Sequence, residues 1–501
     1  MAAFLRHAGR QADPVEGLSL ALRLLLVLLL AGCAAPGAFR DAGPAPETPA
    51  QTLATWPHRE LWAGVVFNGE KVGFTRREVR PARNAPGRYE IESEAAIRLR
   101  FLGVDKRISL RALDRVGPDL TLEAFRYEND VDGSALRVEG SVVGRSIRFS
   151  VTSSGGKEDR TLPVERPVYP SSATALFPPL RGMALGRSYR YLVFHGETQA
   201  LAEVEQQVLG WETGELLGEP AYRVLTRLLG VESTTWHASD GRPLLERALQ
   251  GVLFSALEDE RAARRYLVEA SLNKRDAMVD FSLVRSPPIA EPRRLARLEL
   301  TLEGLPAGFA LPSEGGQACA AARCVIDRAA RLAQGDPARY LKATLAAPSN
   351  LGEISSLAKK IFPGEGTEAD KIKSILAWMD ENIAKEAIDT FSAIDVLRER
   401  RAECQGHAYL FAALARALGI PTRIVNGLAY SEAHAGFLYH SWNEAWIAGR
   451  GWQPVDATFG QAHADATHLK LLEGEAPGEL LPLVSLVGRL RVAAVGALRH
   501  W

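Results

Sequence analysis

Three things are scarce in this 501-residue chain, and each scarcity closes off a class of protein. Cysteine occurs four times, at Cys33, Cys319, Cys324 and Cys404, too few for a disulfide framework at this length. An excess of either charge is missing. Sixty basic residues stand against sixty acidic ones, so no global field draws the chain to nucleic acid or to an anionic surface. Long apolar runs are missing too: Leu24–Leu30 is too short to span a bilayer comfortably. What the chain does have is apolar mass. At 47% apolar residues it can bury two or three cores.

The run Leu24–Leu30 follows Arg6, Arg10 and Arg23 and leads into Ala31, Gly32 and Cys33. A basic start, a short apolar stretch and small residues before a cut site read as an export signal over residues 1–33. Leu30-Ala31-Gly32-Cys33 resembles the lipobox of bacterial lipoproteins. The resemblance implies that Cys33 is diacylated and becomes the first mature residue, each buried CH₂ adding about 0.8 kcal/mol of anchorage. Ala34 rather than Asp after the cysteine implies the outer membrane of the cell envelope, with the folded part facing the periplasm. An ordinary cleaved signal with an incidental cysteine is the plainer alternative. Residues 34–55, mostly Ala, Pro, Gly, Thr and Asp, read as a flexible tether.

Residues 56–284 alternate with period two. Leu61–Phe67, Asn68-Gly69 and Val72–Thr75 form a hairpin signal, and similar runs continue to Ala248 around a Pro/Ser-rich break at 167–179. The expectation is an antiparallel β-rich domain, one curved sheet or open barrel. His195 and His237 stand alone in strand patterns and read as surface or packed histidines. Residues 285–337 look like a connector carrying one strand or hairpin. Within it Cys319 and Cys324 lie five apart and close a small loop disulfide in an oxidising compartment; free thiols or a weak metal site are the alternatives.

Helical periodicity takes over in residues 338–480, through Ile354–Ile361, then Ile372–Met379 after the start signal Thr367-Glu-Ala-Asp, then Ser392–Leu397. Residues 481–501 read as a C-terminal strand or tail. Leu410, Leu414, Ala417 and Leu418 recur at helical spacing behind Cys404, which puts this cysteine at a helix start, where free amides and the dipole favour a thiolate. His440 lies 36 residues on and Asp456 a further 16, in two strand-like runs joined by a turn at 448–451. A thiol on a helix end with an imidazole and a carboxylate on adjacent strands has the layout of a Cys-His-Asp nucleophilic triad. In that reading Cys404 attacks, His440 moves the proton and Asp456 orients the ring. The Cys404 backbone N–H and one further donor would meet the oxyanion.

From about Tyr340 to Leu472 the chain resembles the transglutaminase-like superfamily, which shares the papain-like core. The resemblance rests on Trp378, Ser392–Leu397, Cys404, Leu410, Leu414, Arg416, Gly419-Ile-Pro421, Arg423, Gly427, His440-Ser-Trp-Asn-Glu444 and Trp452-Gln-Pro-Val-Asp-Ala-Thr458. It implies an α+β papain-type domain with Cys404, His440 and Asp456 as its triad. Ala402 and Glu403 depart from the Gly and small or acidic residue that many members carry there. No loop of close carboxylates resembles a Ca²⁺ site, so the Ca²⁺ requirement of animal crosslinking enzymes does not carry over.

Among the other polar groups, Trp442 and Glu444 are weak candidates for substrate contact. His434 sits in a loop unsuited to holding a base, and His407, His463 and His468 read as solvated or supporting residues. A zinc site from Cys404, His407 and His440 matches no common spacing. The expectation is therefore an anchored thiol enzyme acting by acyl transfer on a peptide or protein amide, without metal, cofactor or nucleic acid. Hydrolysis by a peptidase or amidase is favoured because water is the default acceptor. A glutamine-crosslinking transglutaminase is one alternative; a catalytically idle scaffold binding peptide or cell-wall material is the other.

Overall fold

Period-two alternation from Glu60 to Glu258 builds fifteen strands in two meanders, which Arg40–Asp41 extends to one sixteen-stranded sheet. The computed structural model describes residues 39–272, 275–496 and 499–500; the expected export signal and Cys33 lie outside them. Glu60–Phe67 pairs with Glu70–Pro81 on one side and with Leu253–Glu258 on the other, so the first strand of one meander receives the last strand of the second. Asn68 and Gly69 both take positive φ, as a two-residue hairpin turn demands. Val168–Pro170 runs parallel to Ser188–His195; the other pairings are antiparallel. The end strands Gly156–Pro163 and Val168–Pro170 do not pair with each other. The sheet curls without closing into a barrel, and across the curl Phe194 packs on Phe125 and Phe149 at 4.5 and 5.2 Å between centroids.

Two expectations change here. The period-two reading fails at Glu260–Leu272, a helix that lies over Trp62 and Phe74 on the outer face of the sheet. Its buried positions include Ala263 and Ala270, residues too small to write a strong apolar stripe into the sequence. The tether expected over 34–55 is docked over its described part. Arg40–Asp41 pairs with Glu212–Thr213, Thr48 exchanges hydrogen bonds with Met183, and Leu53 is fully buried.

The connector carries three strands, Leu295–Glu303, Gln317–Ala320 and Arg323–Asp327, joined by Arg491–Val495 and Arg499–His500 into a five-stranded sheet. Cys319 and Cys324 face each other in its hairpin and form a disulfide.

The C-terminal half is α+β. Helices Gly352–Ile361, Glu368–Asn382 and Ala393–Glu399 surround the helix Cys404–Ala417. Thr367 and Asp370 cap the second helix reciprocally, and Ser392 caps the third. The helix Cys404–Ala417 is buried from Gly406 to Arg416, apolar nearly all round as a central helix must be. It packs on an antiparallel sheet in which Gly436–Ile447 pairs with Thr422–Ser431, Gly451–Val455 and Val284–Arg285.

The two halves meet at the loop leading into the helix Ala393–Glu399. The Lys106 ammonium, only 4% exposed, sits between Asp389, its closest partner, and Asp132 at 3.4 Å. Ser134 Oγ donates to Asp395 Oδ2 at 2.5 Å and accepts from the Phe391 amide at 2.8 Å. Gly155 approaches so closely that a Cβ there would lie 2.0 Å from the Leu345 carbonyl oxygen and 2.7 Å from Ser392 Oγ.

Candidate active site

Cys404 is the first residue of its helix, and Glu403 is the N-cap, its carboxylate accepting from the Gln405 amide at 3.0 Å. The helix is fixed against the sheet by Asn443, whose Nδ2 donates to the Ala408 carbonyl at 3.0 Å. Buried Arg416 donates to the Thr422 carbonyl and pairs with Glu475. These bonds set the partly exposed Cys404 against the strand Gly436–Ile447, where the backbone N–H of Ser441 donates to its sulfur. Ser441 follows His440 directly, so the thiol lies beside the imidazole-bearing position.

His440 Nε2 is 2.7 Å from Asp456 Oδ2, and the carboxylate is fully buried. The same oxygen takes a second ring nitrogen, His468 Nε2 at 2.8 Å, while Oδ1 accepts from the Thr458 and Phe459 amides at 2.7 and 3.0 Å. With Nε2 committed to Asp456, Nδ1 is the His440 nitrogen left to exchange a proton with a thiol. The ring is covered on one face. Phe459 stacks on it at 4.9 Å between centroids and 9° between planes, and the Arg293 guanidinium lies over the Phe459 ring at 3.7 Å. Gly427 opposite His440 admits the Trp442 ring behind it; a Cβ there would meet the ring at 2.8 Å and the Leu469 carbonyl oxygen at 2.0 Å.

Electrostatics divide the site into two parts. Burial works against an ionised Asp456, yet the charge and hydrogen bond of His440 and those of His468 outweigh it and hold the carboxyl well below the usual range. Burial also opposes a charged His468, and hydrogen bonds to Asp456 and Asp465 overcome it, so its pKa is raised. At the thiol the balance goes the other way. Burial and then the Glu403 carboxylate push Cys404 well above the ordinary thiol value, and the Ser441 amide offsets only part of that. Its S–H lies 3.2 Å from Glu403 Oε2. Glu403 is itself raised to about 7, by burial first and Asp389 next. The helix-start thiolate expected from the sequence is thus opposed by the acidic residue that caps the helix.

The remaining expected residues fall in varied places. Trp442 is 2% exposed, packed among His440 and His468, with Nε1 unpartnered among the described residues. Glu444 is 8% exposed and held by Arg423 at 2.5 Å and Lys470 at 3.0 Å. Both are packed within the sheet. His434 bonds Ser431 in its loop. His407 and His468 are buried, not solvated, and His468 is the site residue the sequence reading undervalued. Its only sequence cue is the short Asp465-Ala-Thr-His468 turn, in which Asp465 also grips Thr467. Phe459 and Glu403 carried no signal of their roles beyond proximity to Asp456 and Cys404.

By position, His440, Asp456 and His468 also have the ligand atoms to hold an ion, all within 4.8 Å of one another. Both ring nitrogens already donate to the one carboxylate oxygen, and the other oxygen takes two amides. This donor set is satisfied by its own hydrogen bonds and does not fit a metal without breaking them.

Known proteins match part of the same stretch. Residues 355–457 match the Transglutaminase-like superfamily. A 130-residue stretch is 26% identical to kyphoscoliosis peptidase of Mus musculus, covering 23% of this chain and 20% of that protein. The human counterpart is 25% identical over 125 residues, covering 22% and 19%. The chain therefore spans about a fifth of the length of the curated relatives it matches. Among solved structures, the periplasmic domain of TgpA from Pseudomonas aeruginosa is 17% identical, covering 36% of this chain and 88% of that one with a TM-score of 0.24.

Proposed function

From a transglutaminase-like core over residues 355–457, we propose that this chain is a thiol enzyme that cleaves amide bonds by acyl transfer to water. The observation that carries the reading is the 2.7 Å bond from His440 Nε2 to a buried, ionised Asp456, beside a partly exposed thiol seated on the next residue's amide. Cys404 Sγ attacks the amide carbonyl while its proton passes to His440 Nδ1. The oxyanion forms against the Cys404 backbone N–H, at the positive end of its helix. His440 then protonates the leaving amine, and water drawn in by the same ring hydrolyses the thioester. Asp456 holds the ring's tautomer and its charged form throughout. That the mouse relative is named a peptidase favours hydrolysis over crosslinking.

The lipobox at 30–33 supports anchorage through Cys33 to the outer membrane, facing the periplasm. No helix among the described residues is long and apolar enough to cross a membrane. Loss of palmitate labelling in Cys33→Ser tests the anchor.

One observation favours a second reading. A thiol pushed up by burial and Glu403 is a poor resting nucleophile, as in a scaffold that binds peptide without cleaving it. The deciding experiment incubates wild type and Cys404→Ala with a complex peptide mixture plus biotin-cadaverine. Mass spectrometry then scores new N-termini and incorporated amine. New termini from wild type alone establish the hydrolase, and incorporated amine the transferase. Identical products from both proteins leave the scaffold.

A further inference from the structure

The curled sheet encloses a lumen that the thiol chemistry does not use. It is a cavity of ≈ 460 Å³, within the range of roughly 300–1,000 Å³ that holds small ligands. Most of its wall is apolar, contributed by inward-facing residues such as Leu61, Ala63, Ala95 and Leu257, all of which keep surface open to it. Several charged side chains interrupt that wall, Arg77 and Glu246 among them. Arg77 sits beside Leu61 and Ser93 in the cross-strand row, and Glu246 sits beside Ser255 and Thr235.

Both Arg77 and Glu246 retain accessible surface. Burial nevertheless shifts both toward neutrality, Arg77 downward and Glu246 upward. Both line the cavity, so part of that open surface faces the lumen. Among the described residues Arg77 makes no hydrogen bond or ion pair within contact distance, and it meets Glu246 only as a longer-range attraction. Glu246 is steadied by the Ser233 hydroxyl. A guanidinium left without a partner in an enclosed, mostly apolar space is a costly arrangement unless something else supplies its acceptor. At the lumen's inner end Asp114 needs nothing more, since Tyr127 and Ser172 donate to it at 2.7 and 2.6 Å.

We propose that the lumen is a binding site in its own right, taking a small amphipathic molecule with an apolar body and an uncharged amide head between Arg77 and Glu246. A carbonyl oxygen meets the guanidinium and an N–H meets the carboxylate. The apolar body covers the aliphatic wall. A bare carboxylate would satisfy Arg77 but be repelled by Glu246, and a bare ammonium would meet the reverse conflict. An amide answers both groups without adding charge to a low-dielectric space. The site is independent of the thiol reading and stands or falls without it.

The test is calorimetric titration of the full-length Cys404→Ala protein, in which no thiol can react, with octanamide and octanoate as matched probes. Octanamide is expected to bind at least tenfold more tightly than octanoate. Ala95→Trp, which fills the lumen, and Arg77→Met are each expected to weaken octanamide at least tenfold, and Glu246→Gln to close the gap between the two probes. Arg77→Met carries the localisation if Ala95→Trp does not fold. Absence of octanamide binding, octanoate binding as tightly as the amide, or octanamide affinity unmoved by Arg77→Met overturns the proposal.

Discussion

His468 donates its Nε2–H to Asp456 Oδ2 at 2.8 Å, the oxygen that also holds His440. The carboxylate that would orient the proposed base is therefore itself held by a second, fully buried imidazole. That ring is gripped in turn by Asp465. An ionised carboxylate this deep is stable only with such partners.

The first prediction concerns pH. The folded pKa of His468 is raised above 6.5, so its contribution to stability is complete below pH 6.5 and is lost as pH rises through the folded value. Asp456 and Asp465 are depressed below 3.8, so theirs is complete above that value and lost as pH falls through the folded values. The melting temperature should therefore decline above neutrality. In His468→Gln that decline should flatten, on a protein destabilised by about 3–5 kcal/mol because a buried charge loses a partner. Thermal unfolding from pH 5 to 9 measures both, and parallel curves for the two proteins would remove His468 from this role.

Glu403→Gln addresses the thiol. The substitution keeps the shape of the cap but removes the carboxylate charge and the S–H acceptor that push Cys404 upward. The thiol pKa should fall, and iodoacetamide should alkylate Cys404 several-fold faster at pH 7. An unchanged or slower rate would show that burial alone sets the thiol.

Asp456→Asn reverses the hydrogen bond that fixes the His440 ring. Kinetics on any amide substrate identified should show kcat reduced by on the order of 10³–10⁴, with KM little changed. A loss below tenfold would mean that Asp456 serves stability and not the proton path.

Lys106→Met tests the seam between the halves. It leaves Asp389 and Asp132 facing each other without their shared cation. Because Asp389 is partly exposed, we expect a loss of about 1–3 kcal/mol in urea unfolding rather than the full cost of breaking a buried pair. Without the Lys106 charge Glu403 is raised further and carries less charge at pH 7, so alkylation of Cys404 should quicken, in the same direction as Glu403→Gln. Normal stability and normal labelling together would uncouple the β-rich half from the site.

Much of this architecture could be read in advance because local signals were strong. Thr367-Glu-Ala-Asp announces its helix, Asn68-Gly69 its hairpin, and the order Cys404, His440, Asp456 singles out three residues that the fold sets around one strand and one helix end. What escaped depends on burial and on partners distant in sequence. Glu403 differs from an ordinary surface glutamate only because Asp389 and the protein interior surround it. His468 gains its role from a carboxylate 12 residues away on another segment. Helix Glu260–Leu272 hides small residues where a strong amphipathic signal would need large ones, and the segment from Arg40 to Leu53 docks through backbone bonds that composition does not record.

The pairing of Glu60–Phe67 with Leu253–Glu258 bears on how the chain assembles. Nearly two hundred residues must be in place before that seam can form, a long-range contact of the slow kind. Until then Glu60–Phe67 presents a bare, largely apolar edge able to recruit the same strand from another molecule. Proteolysis or truncation ahead of Leu253 should therefore yield self-association sooner than a smaller folded piece.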